Sequence, residues 1–197
     1  GVELYGKNLL VVGFGRIGRR VAEIAAALGM RVYAYDIADV RAEAERRGVR
    51  LVGSLCEGLR LADVVTLHVP LNKLSYHMIN RDTLRCAKPG VILVNTSRGA
   101  VVDPEALLEA IEYGVVSAAA LDVIEHEPPK TEAEATLARH PRVIVTPHIG
   151  ASTREAQERV ATQLATRIIE ALGVRCPHAS RARERLCRQL ASLGLEC

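Results

Sequence analysis

The stretch "LLVVGFGRIGRRVAEIAAALGMRVYAYD" at residues 9–36 constrains the fold most strongly, because it places three glycines within six positions. An apolar run precedes the glycines and an alanine-rich helical pattern follows them. A strand that turns sharply into a helix uses Gly13 for the tight turn, Gly15 for close approach of a ligand to the backbone, and Gly18 for packing of the helix on the strand. The stretch therefore predicts a strand, a glycine turn, a helix and a second strand.

The second strand of this stretch ends in an acidic residue. Asp36 lies 18 residues after Gly18, close to the roughly 20 expected between such a turn and a ribose-binding acid. At the start of the helix, the backbone N–H groups of Arg16 and Ile17 would bind the pyrophosphate of a dinucleotide. A carboxylate at Asp36 accepts from a ribose 2′-hydroxyl and repels a 2′-phosphate, so the sequence predicts NAD rather than NADP as cofactor. A purely structural glycine turn is the alternative.

Apolar runs and helical patterns alternate along most of the chain. Strands are predicted in NLLVVGF, RVYAYD, VVTLHVP, VILVNTS, SAAALDV and RVIVTPH, and helices over 16–28, 39–47, 80–87, 103–113 and 152–172. The strands lack polar alternation, which is typical of a parallel sheet covered on both faces. We therefore predict an α/β fold with a doubly wound, Rossmann-like parallel sheet. It forms an NAD-binding domain over residues 1–172, followed by a basic tail over 173–197 that is helical in 180–193.

Composition and charge exclude several classes of protein. With 49% hydrophobic and 25% charged residues the chain has ordinary globular composition. No apolar run approaches the ~20 residues of a membrane helix, and no signal peptide is recognisable, so we expect a cytoplasmic protein with no membrane partner. The formal net charge of +3 resides in the tail, which has five arginines and two glutamates after residue 173. We expect no nucleic-acid partner, while a partner-binding role of the tail stays open.

The cysteines give no sign of a metal site or a disulfide framework. The chain has five, with no CxxC pair, at Cys56, Cys86, Cys176, Cys187 and Cys197. This spacing in a protein without a signal peptide favours reduced thiols. We therefore predict no disulfide and no metal.

An arginine, a glutamate and a histidine follow three of the predicted strands. The stretches are VNTSRGAVVD at 94–103, ALDVIEHEPP at 120–129 and VTPHIGASTREAQ at 145–157. The carboxyl ends of parallel strands face one ligand crevice, so Arg98, Glu127 and His148 are expected to converge there. A guanidinium binds both oxygens of a carboxylate, a histidine moves a proton near neutral pH, and a carboxylate fixes its tautomer.

Taken singly, each of these side chains has a plainer interpretation, as a surface arginine, a solvated acid or a loop histidine. Their joint placement after successive strands favours the active-site interpretation. The histidine in TLHVP, His68, is expected to be structural or to line the cofactor site. The remaining histidines are expected at the surface, namely His77, His126, His140 and His178.

Four motifs in order, VVGFGRIG, VNTSRGAVVD, ALDVIEHEPP and TPHIGASTREAQ, resemble the D-isomer-specific 2-hydroxyacid dehydrogenase family. The last is most similar to its D-3-phosphoglycerate dehydrogenase branch, which opens serine biosynthesis. The resemblance implies that Arg98 holds the substrate carboxylate, that His148 is the acid/base and that Glu127 is its partner. It also implies that Asp122 orients the nicotinamide carboxamide. The cofactor-lining positions that it implies are Thr96, Ser97 and Gly150.

The resemblance further implies oxidation of 3-phosphoglycerate to 3-phosphohydroxypyruvate, a small 2-hydroxy or 2-keto acid as substrate, and a homodimer. Family members have two domains, and this chain starts where the linker enters the cofactor domain. We therefore expect most of the substrate domain to be missing from it, and turnover by the chain alone to be weak or absent. Residues 73–76 depart from the family pattern PLTPxTxxLIN. The alternative function is an NAD(H)-binding module, or a redox-sensing corepressor-like protein, without turnover.

Overall fold

A parallel β-sheet forms the centre of the structure, which is a computed structural model that describes residues 1–172. Its strands are β1 Asn8–Val12, β2 Arg31–Tyr35, β3 Arg50–Leu51, β4 Val64–Leu67, β5 Val91–Asn95, β6 Val116–Leu121 and β7 Val143–Val145. The helices are α1 Arg16–Ala27, α2 Arg41–Glu45, α3 Leu55–Leu61, α4 Arg81–Leu84, α5 Pro104–Glu112, α6 Glu132–Leu137 and α7 Arg154–Ala171, with a 3₁₀ turn at Gly99–Val101. The tail helix predicted over 180–193 lies outside the described residues.

The strand order is β3-β2-β1-β4-β5-β6-β7, and every neighbouring pair is parallel. This order confirms the predicted doubly wound α/β fold. The strands run outward in both directions from the β1–β4 pair, which is the switch point of such a sheet. Ligands bind beside the carboxyl ends of the strands at this point, and the glycine turn directly follows β1.

Both faces of the sheet are covered, as the apolar strands predicted. Successive residues of β1 belong to two different cores, with Leu10 and Val12 in one and Leu9 and Val11 in the other. All four side chains are buried. Because successive side chains of a strand point to opposite faces, β1 anchors helices on both sides of the sheet.

Residues 1–150 form one compact unit, and Ala151 begins a second. The described part of the second unit consists mainly of α7, which begins after Thr153. The side-chain oxygen of this residue accepts from Ala156 N at 3.1 Å and caps the helix. Among the described helices, none has the length and apolar composition needed to cross a membrane. The domain boundary at residue 172 stays a prediction.

The cysteine prediction was wrong for one pair. Cys56, in α3, and Cys86, just after α4, form a disulfide with a Cα–Cα distance of 5.2 Å and a sequence separation of 30 residues. Sequence spacing pointed to reduced thiols because neither cysteine has another near it along the chain. The two meet only because α3 and α4 pack together in the fold. The other cysteines lie outside the described residues.

Candidate active site

The glycine turn between β1 and α1 is built as its three glycines predicted. Gly13 has a φ of +91°, and a Cβ atom there would lie 2.7 Å from the carbonyl of His68. A Cβ on Gly18 would lie 2.1 Å from the carbonyl oxygen of Gly13. At Gly15 a Cβ would meet no atom within 4 Å. Gly13 and Gly18 are therefore required by the fold itself, whereas the backbone at Gly15 faces open space where a ligand can approach closely.

The amino terminus of α1 offers free N–H groups at this turn. Gly15 is the N-cap, no side chain caps the helix, and its first turn has no acidic residue. Within residues 1–172, the N–H groups of Arg16, Ile17 and Gly18 have no protein acceptor. Unpaired N–H groups at the positive end of a helix dipole favour an anion. The local structure therefore suits the pyrophosphate of a dinucleotide.

A cavity of about 290 Å³ opens beside the turn. Its walls include Gly13, Gly15, Asp36, His68, Ser75 and Met78. The Asp36 carboxylate accepts from Phe14 N at 2.7 Å and from Ala38 N at 2.9 Å, which fixes it at the end of β2. Burial lowers the pKa of His68, so this ring is neutral at pH 7 and adds no charge to the cavity. His68 thus lines the cavity, which agrees with the cofactor-lining role that was one of the two expected for it.

The turns after β5, β6 and β7 lie side by side at the carboxyl edge of the sheet. Asp122 N donates to Asn95 O at 2.9 Å, and Thr146 N donates to Leu121 O at 3.0 Å. These bonds continue the strand pairing past the last regular residues. The stretches that carry Arg98, Glu127 and His148 therefore begin at neighbouring positions.

The turn after β5 is organised by Asn95, a buried residue that the sequence analysis did not single out. Its Oδ1 accepts from the backbone N and the hydroxyl of Ser97 at 3.0 and 2.8 Å, and its Nδ2 donates to Arg98 O at 3.0 Å. Thr96 and Arg98 are exposed, whereas Ser97 is buried. A Cβ on Gly99 would lie 1.9 Å from Ile124 O. This close packing sets the Arg98 turn against the start of the segment that carries Glu127.

The structure brings Glu127 and His148 together. His148 Nδ1 lies 2.9 Å from Glu127 Oε2, and the two side chains are 53% and 42% exposed. Both line a second cavity of about 280 Å³, whose walls also include Ile124, Pro128 and Pro147. A carboxylate only accepts hydrogen bonds, so the neutral imidazole donates from Nδ1 and leaves Nε2 free to accept a proton. The exposure of the pair leaves it accessible to a substrate.

Asp122 holds the turn that carries His148. Its carboxylate accepts from the Thr146 hydroxyl at 2.6 Å, from Ile149 N at 2.9 Å and from Gly150 N at 2.8 Å. Burial acts to raise the pKa of Asp122, but these three hydrogen bonds outweigh it and bring the pKa below its usual value. The predicted contact of Asp122 with nicotinamide stays a prediction. The ionised Asp122 carboxylate holds the chain both before and after His148.

Three other histidines that were expected at the surface each pair with a glutamate, and for His140 the surface expectation needs correction. His77 Nε2 lies 2.9 Å from Glu125 Oε2, His126 Nδ1 lies 3.0 Å from Glu134 Oε1, and His140 Nε2 lies 3.0 Å from Glu112 Oε1. The side chain of His140 is only 9% exposed. These pairs could not be predicted from the sequence, since each joins residues that only the fold brings together. His178 lies outside the described residues.

Comparison with known proteins finds one matching family and several similar relatives. Residues 1–150 match the family described as D-isomer specific 2-hydroxyacid dehydrogenase, NAD binding domain. The chain is 45% identical over 170 residues to D-3-phosphoglycerate dehydrogenase of Bacillus subtilis, covering 86% of this chain and 32% of that protein. It is 45% identical over 174 residues to hydroxypyruvate reductase of Thermotoga maritima, covering 88% of this chain and 56% of that protein.

Among solved structures, D-lactate dehydrogenase from Aquifex aeolicus, complexed with NAD and lactic acid, has a similar fold. The TM-score is 0.78 at 36% identity, and the match covers 87% of this chain and 55% of that one. The chain thus spans about a third to a half of the length of these proteins. The family match supplies NAD as the cofactor of this domain.

Proposed function

Because the chain belongs to the D-isomer-specific 2-hydroxyacid dehydrogenase family through its NAD-binding domain, we propose that it serves the NAD-dependent interconversion of D-2-hydroxy acids and 2-keto acids. The 2.9 Å contact between His148 Nδ1 and Glu127 Oε2 carries the proposal. With Nδ1 held by Glu127, His148 Nε2 accepts the proton of the substrate hydroxyl during oxidation and returns it during reduction. Glu127 keeps the ring oriented and stabilises its protonated form.

The cofactor is held by the glycine turn and the neighbouring strand ends. The N–H groups of Arg16 and Ile17 would bind the pyrophosphate, the open space at Gly15 would admit it, and Asp36 would accept from the ribose. Bound NAD supplies the hydride acceptor. The residues proposed to line the nicotinamide end are Thr96, Ser97, Asp122 and Gly150. Support comes from the free N–H groups of α1 and from the cavity that Asp36 lines.

Arg98 is the residue proposed to bind the substrate carboxylate. Its guanidinium is exposed on the turn after β5, where one nitrogen donates to Ser97 O at 2.6 Å. The planar group has five N–H donors, so further donors remain for a bidentate contact with a carboxylate. This contact would orient the reacting carbon of the substrate, so an alanine at this position should act mainly on KM.

For the substrate we propose 3-phosphoglycerate, with 3-phosphohydroxypyruvate as product, and we propose that the protein is a homodimer. Support for the substrate comes from the similarity to D-3-phosphoglycerate dehydrogenases. Relatives that are named hydroxypyruvate reductase and glyoxylate reductase reach similar identity. The three keto acids therefore belong in one assay.

The test is NADH consumption by the protein that contains this chain, with 3-phosphohydroxypyruvate, hydroxypyruvate and glyoxylate compared by kcat/KM. We expect the phosphorylated acid to rank first. The His148→Ala variant should lower kcat by about 10²–10⁴, the contribution of a positioned acid/base, with unchanged affinity for NADH. The control is His140→Ala, which lies before β7 at the opposite edge of the sheet. Wild-type turnover by His148→Ala would refute the proposed role, whereas another keto acid ranking first would change only the substrate.

A further inference from the structure

The carboxylate of Glu134, in the first turn of α6, is completely buried. One oxygen, Oε1, accepts from His126 N at 2.9 Å and lies 3.0 Å from His126 Nδ1. The other, Oε2, accepts from Lys130 N at 2.9 Å and from Thr131 N at 3.0 Å. Burial acts to raise the pKa of Glu134, but the bonds from Lys130, Thr131 and His126 outweigh it and lower the pKa to about 2. Glu134 is therefore ionised throughout the neutral range.

These donors lie on both sides of Glu127 in the chain. In the loop over residues 126–131, the two prolines have no N–H group, so four backbone N–H groups remain. Glu134 accepts from three of them, those of His126, Lys130 and Thr131. The fourth belongs to Glu127 itself. One buried carboxylate thus ties the two ends of the loop that presents Glu127 to His148.

We propose that Glu134 is a positioning residue that keeps Glu127 within hydrogen-bond distance of His148 and thereby keeps the proton of the neutral ring on Nδ1. The inference rests on the proposed function, which gives the Glu127–His148 pair its role. Asp122 fixes the His148 side of the pair through the bonds to Ile149 and Gly150. Glu134 fixes the Glu127 side in the same way. Because the Glu127 side chain is partly exposed, its placement depends on the loop beneath it.

The tautomer of His148 shows whether Glu127 lies beside it, and it can be measured without catalytic turnover. The chain is labelled with ¹⁵N-histidine, and the ring signals are recorded at a pH where imidazoles are neutral, with His148 assigned by its loss in His148→Asn. In the wild type we expect Nδ1 to be protonated. Glu134→Gln keeps the side-chain volume but replaces one acceptor by an NH₂ group that faces N–H donors. We expect about half or more of the His148 rings to move to the Nε2-protonated form, because the Glu127 acceptor is displaced.

Glu132→Gln is the matched control, since Glu132 lies in the same first turn of α6 and is exposed. It should leave the tautomer unchanged, and all variants should keep the affinity for NADH within about twofold. A folded Glu134→Gln protein, verified by circular dichroism, that keeps His148 protonated on Nδ1 would overturn the proposal.

Two further variants separate the possible failures. Glu127→Ala removes the acceptor itself, and an unchanged tautomer in that variant would refute the Glu127–His148 pair, and with it both the proposed function and the role of Glu134. A tautomer that changes in Glu127→Ala but not in Glu134→Gln would refute the role of Glu134 alone. If Glu134→Gln does not fold, His126→Ala removes only one of the donors and leaves the backbone bonds in place. This milder variant should give a smaller shift towards the Nε2-protonated form. No shift at all would then overturn the proposal.

Discussion

At the scale of single residues, two glycines of the same turn serve different purposes. The space for a Cβ at Gly18 is occupied by the Gly13 carbonyl, whereas at Gly15 it is empty. The backbone of Gly15 has a φ of −75°, which any residue adopts. Gly18 is therefore required by the packing of α1 on β1, whereas Gly15 leaves open space for the ligand that we propose.

This difference predicts opposite results for two similar substitutions. Gly15→Ala should leave the melting temperature nearly unchanged and weaken NADH binding by about tenfold or more, since the methyl group takes the place of the pyrophosphate. Gly18→Ala should lower the melting temperature by several degrees, because overpacking costs about 1–3 kcal/mol. Thermal melts and calorimetric titration of NADH measure both effects. Equal loss of stability in the two variants would contradict the assignment.

The other residue-scale prediction concerns Asp36. Its carboxylate is fixed by two backbone N–H groups at 2.7 and 2.9 Å, so it cannot easily turn away from a 2′-phosphate. Juxtaposed like charges cost several kcal/mol, and we expect NADH to bind at least about a hundredfold more tightly than NADPH. In Asp36→Ala the difference in affinity between NADH and NADPH should become smaller, mainly because NADPH binds more tightly. Equal affinities for the two cofactors in the wild type would exclude this role.

Single residues could be predicted from the sequence where they belong to a local sequence pattern, and not where their role depends on contacts made in the fold. Gly13, Gly18 and Asp36 lie in a local pattern whose geometry the backbone dictates, and the fold matches that pattern. The sequence signal for Glu134 was the T-x-x-E capping box that it forms with Thr131. Its bonds from His126 N and Lys130 N gave no signal, because only the folded loop presents these donors. Asn95 was missed although its partners Ser97 and Arg98 are near it in sequence, because its burial at the end of β5 is evident only in the fold.

At the scale of elements, every predicted strand and helix within the described residues is present, whereas one short strand and two short helices were not predicted. The six apolar strands were predicted from their apolar runs, and all of them except the edge strand β7 contain buried side chains. Strand β3, with two residues, is too short to show a pattern. The helices α3 and α6, with seven and six residues, were not predicted, although Ser54 and Thr131 cap them. Short elements depend on capping and on packing partners that are distant in sequence.

The packing of α3 and the end of α4 predicts a covalent contribution to stability. The Cys56–Cys86 bond closes a loop across a separation of 30 residues, and native disulfides of this kind contribute about 2–4 kcal/mol. Reduction should lower the free energy of unfolding in urea by that amount. In Cys56→Ser the reductant should have no further effect, which controls for the other cysteines. If reduction leaves wild-type stability unchanged, the thiols are free in solution and the original sequence prediction stands.

At the scale of the whole molecule, the sheet gathers the candidate site from segments far apart in the chain. The turn after β1 and the turns after β5, β6 and β7 all lie at the carboxyl edge, because every strand is parallel. Parallel order was predictable from the apolar strands and their helical crossovers. The pairing of Glu127 with His148 required the fold, since residues in two separate loops must meet within 2.9 Å. Buried carboxylates that hold those loops also link the site to global stability.

The last prediction is the loss of this stability in acid. The pKa of Glu134 falls from an ordinary 4.5 to about 2 in the fold. A depressed pKa stabilises the folded state above the unfolded value, and the stabilisation disappears as pH falls from about 4.5 towards 2. The shift corresponds to about 3 kcal/mol. Asp122, whose pKa is also lowered, acts in the same direction.

We therefore expect the free energy of unfolding to decrease between about pH 5 and pH 3, measured by urea titration at each pH. In Glu134→Gln this decrease should be smaller by up to about 3 kcal/mol, since the variant has no carboxyl group to protonate at that position. Glu132→Gln, at the exposed position of the same helical turn, should keep the wild-type dependence. If Glu134→Gln and the wild type lost stability in parallel, the buried carboxylate would not be the group that titrates, and the acid sensitivity would have to come from other carboxylates such as Asp122.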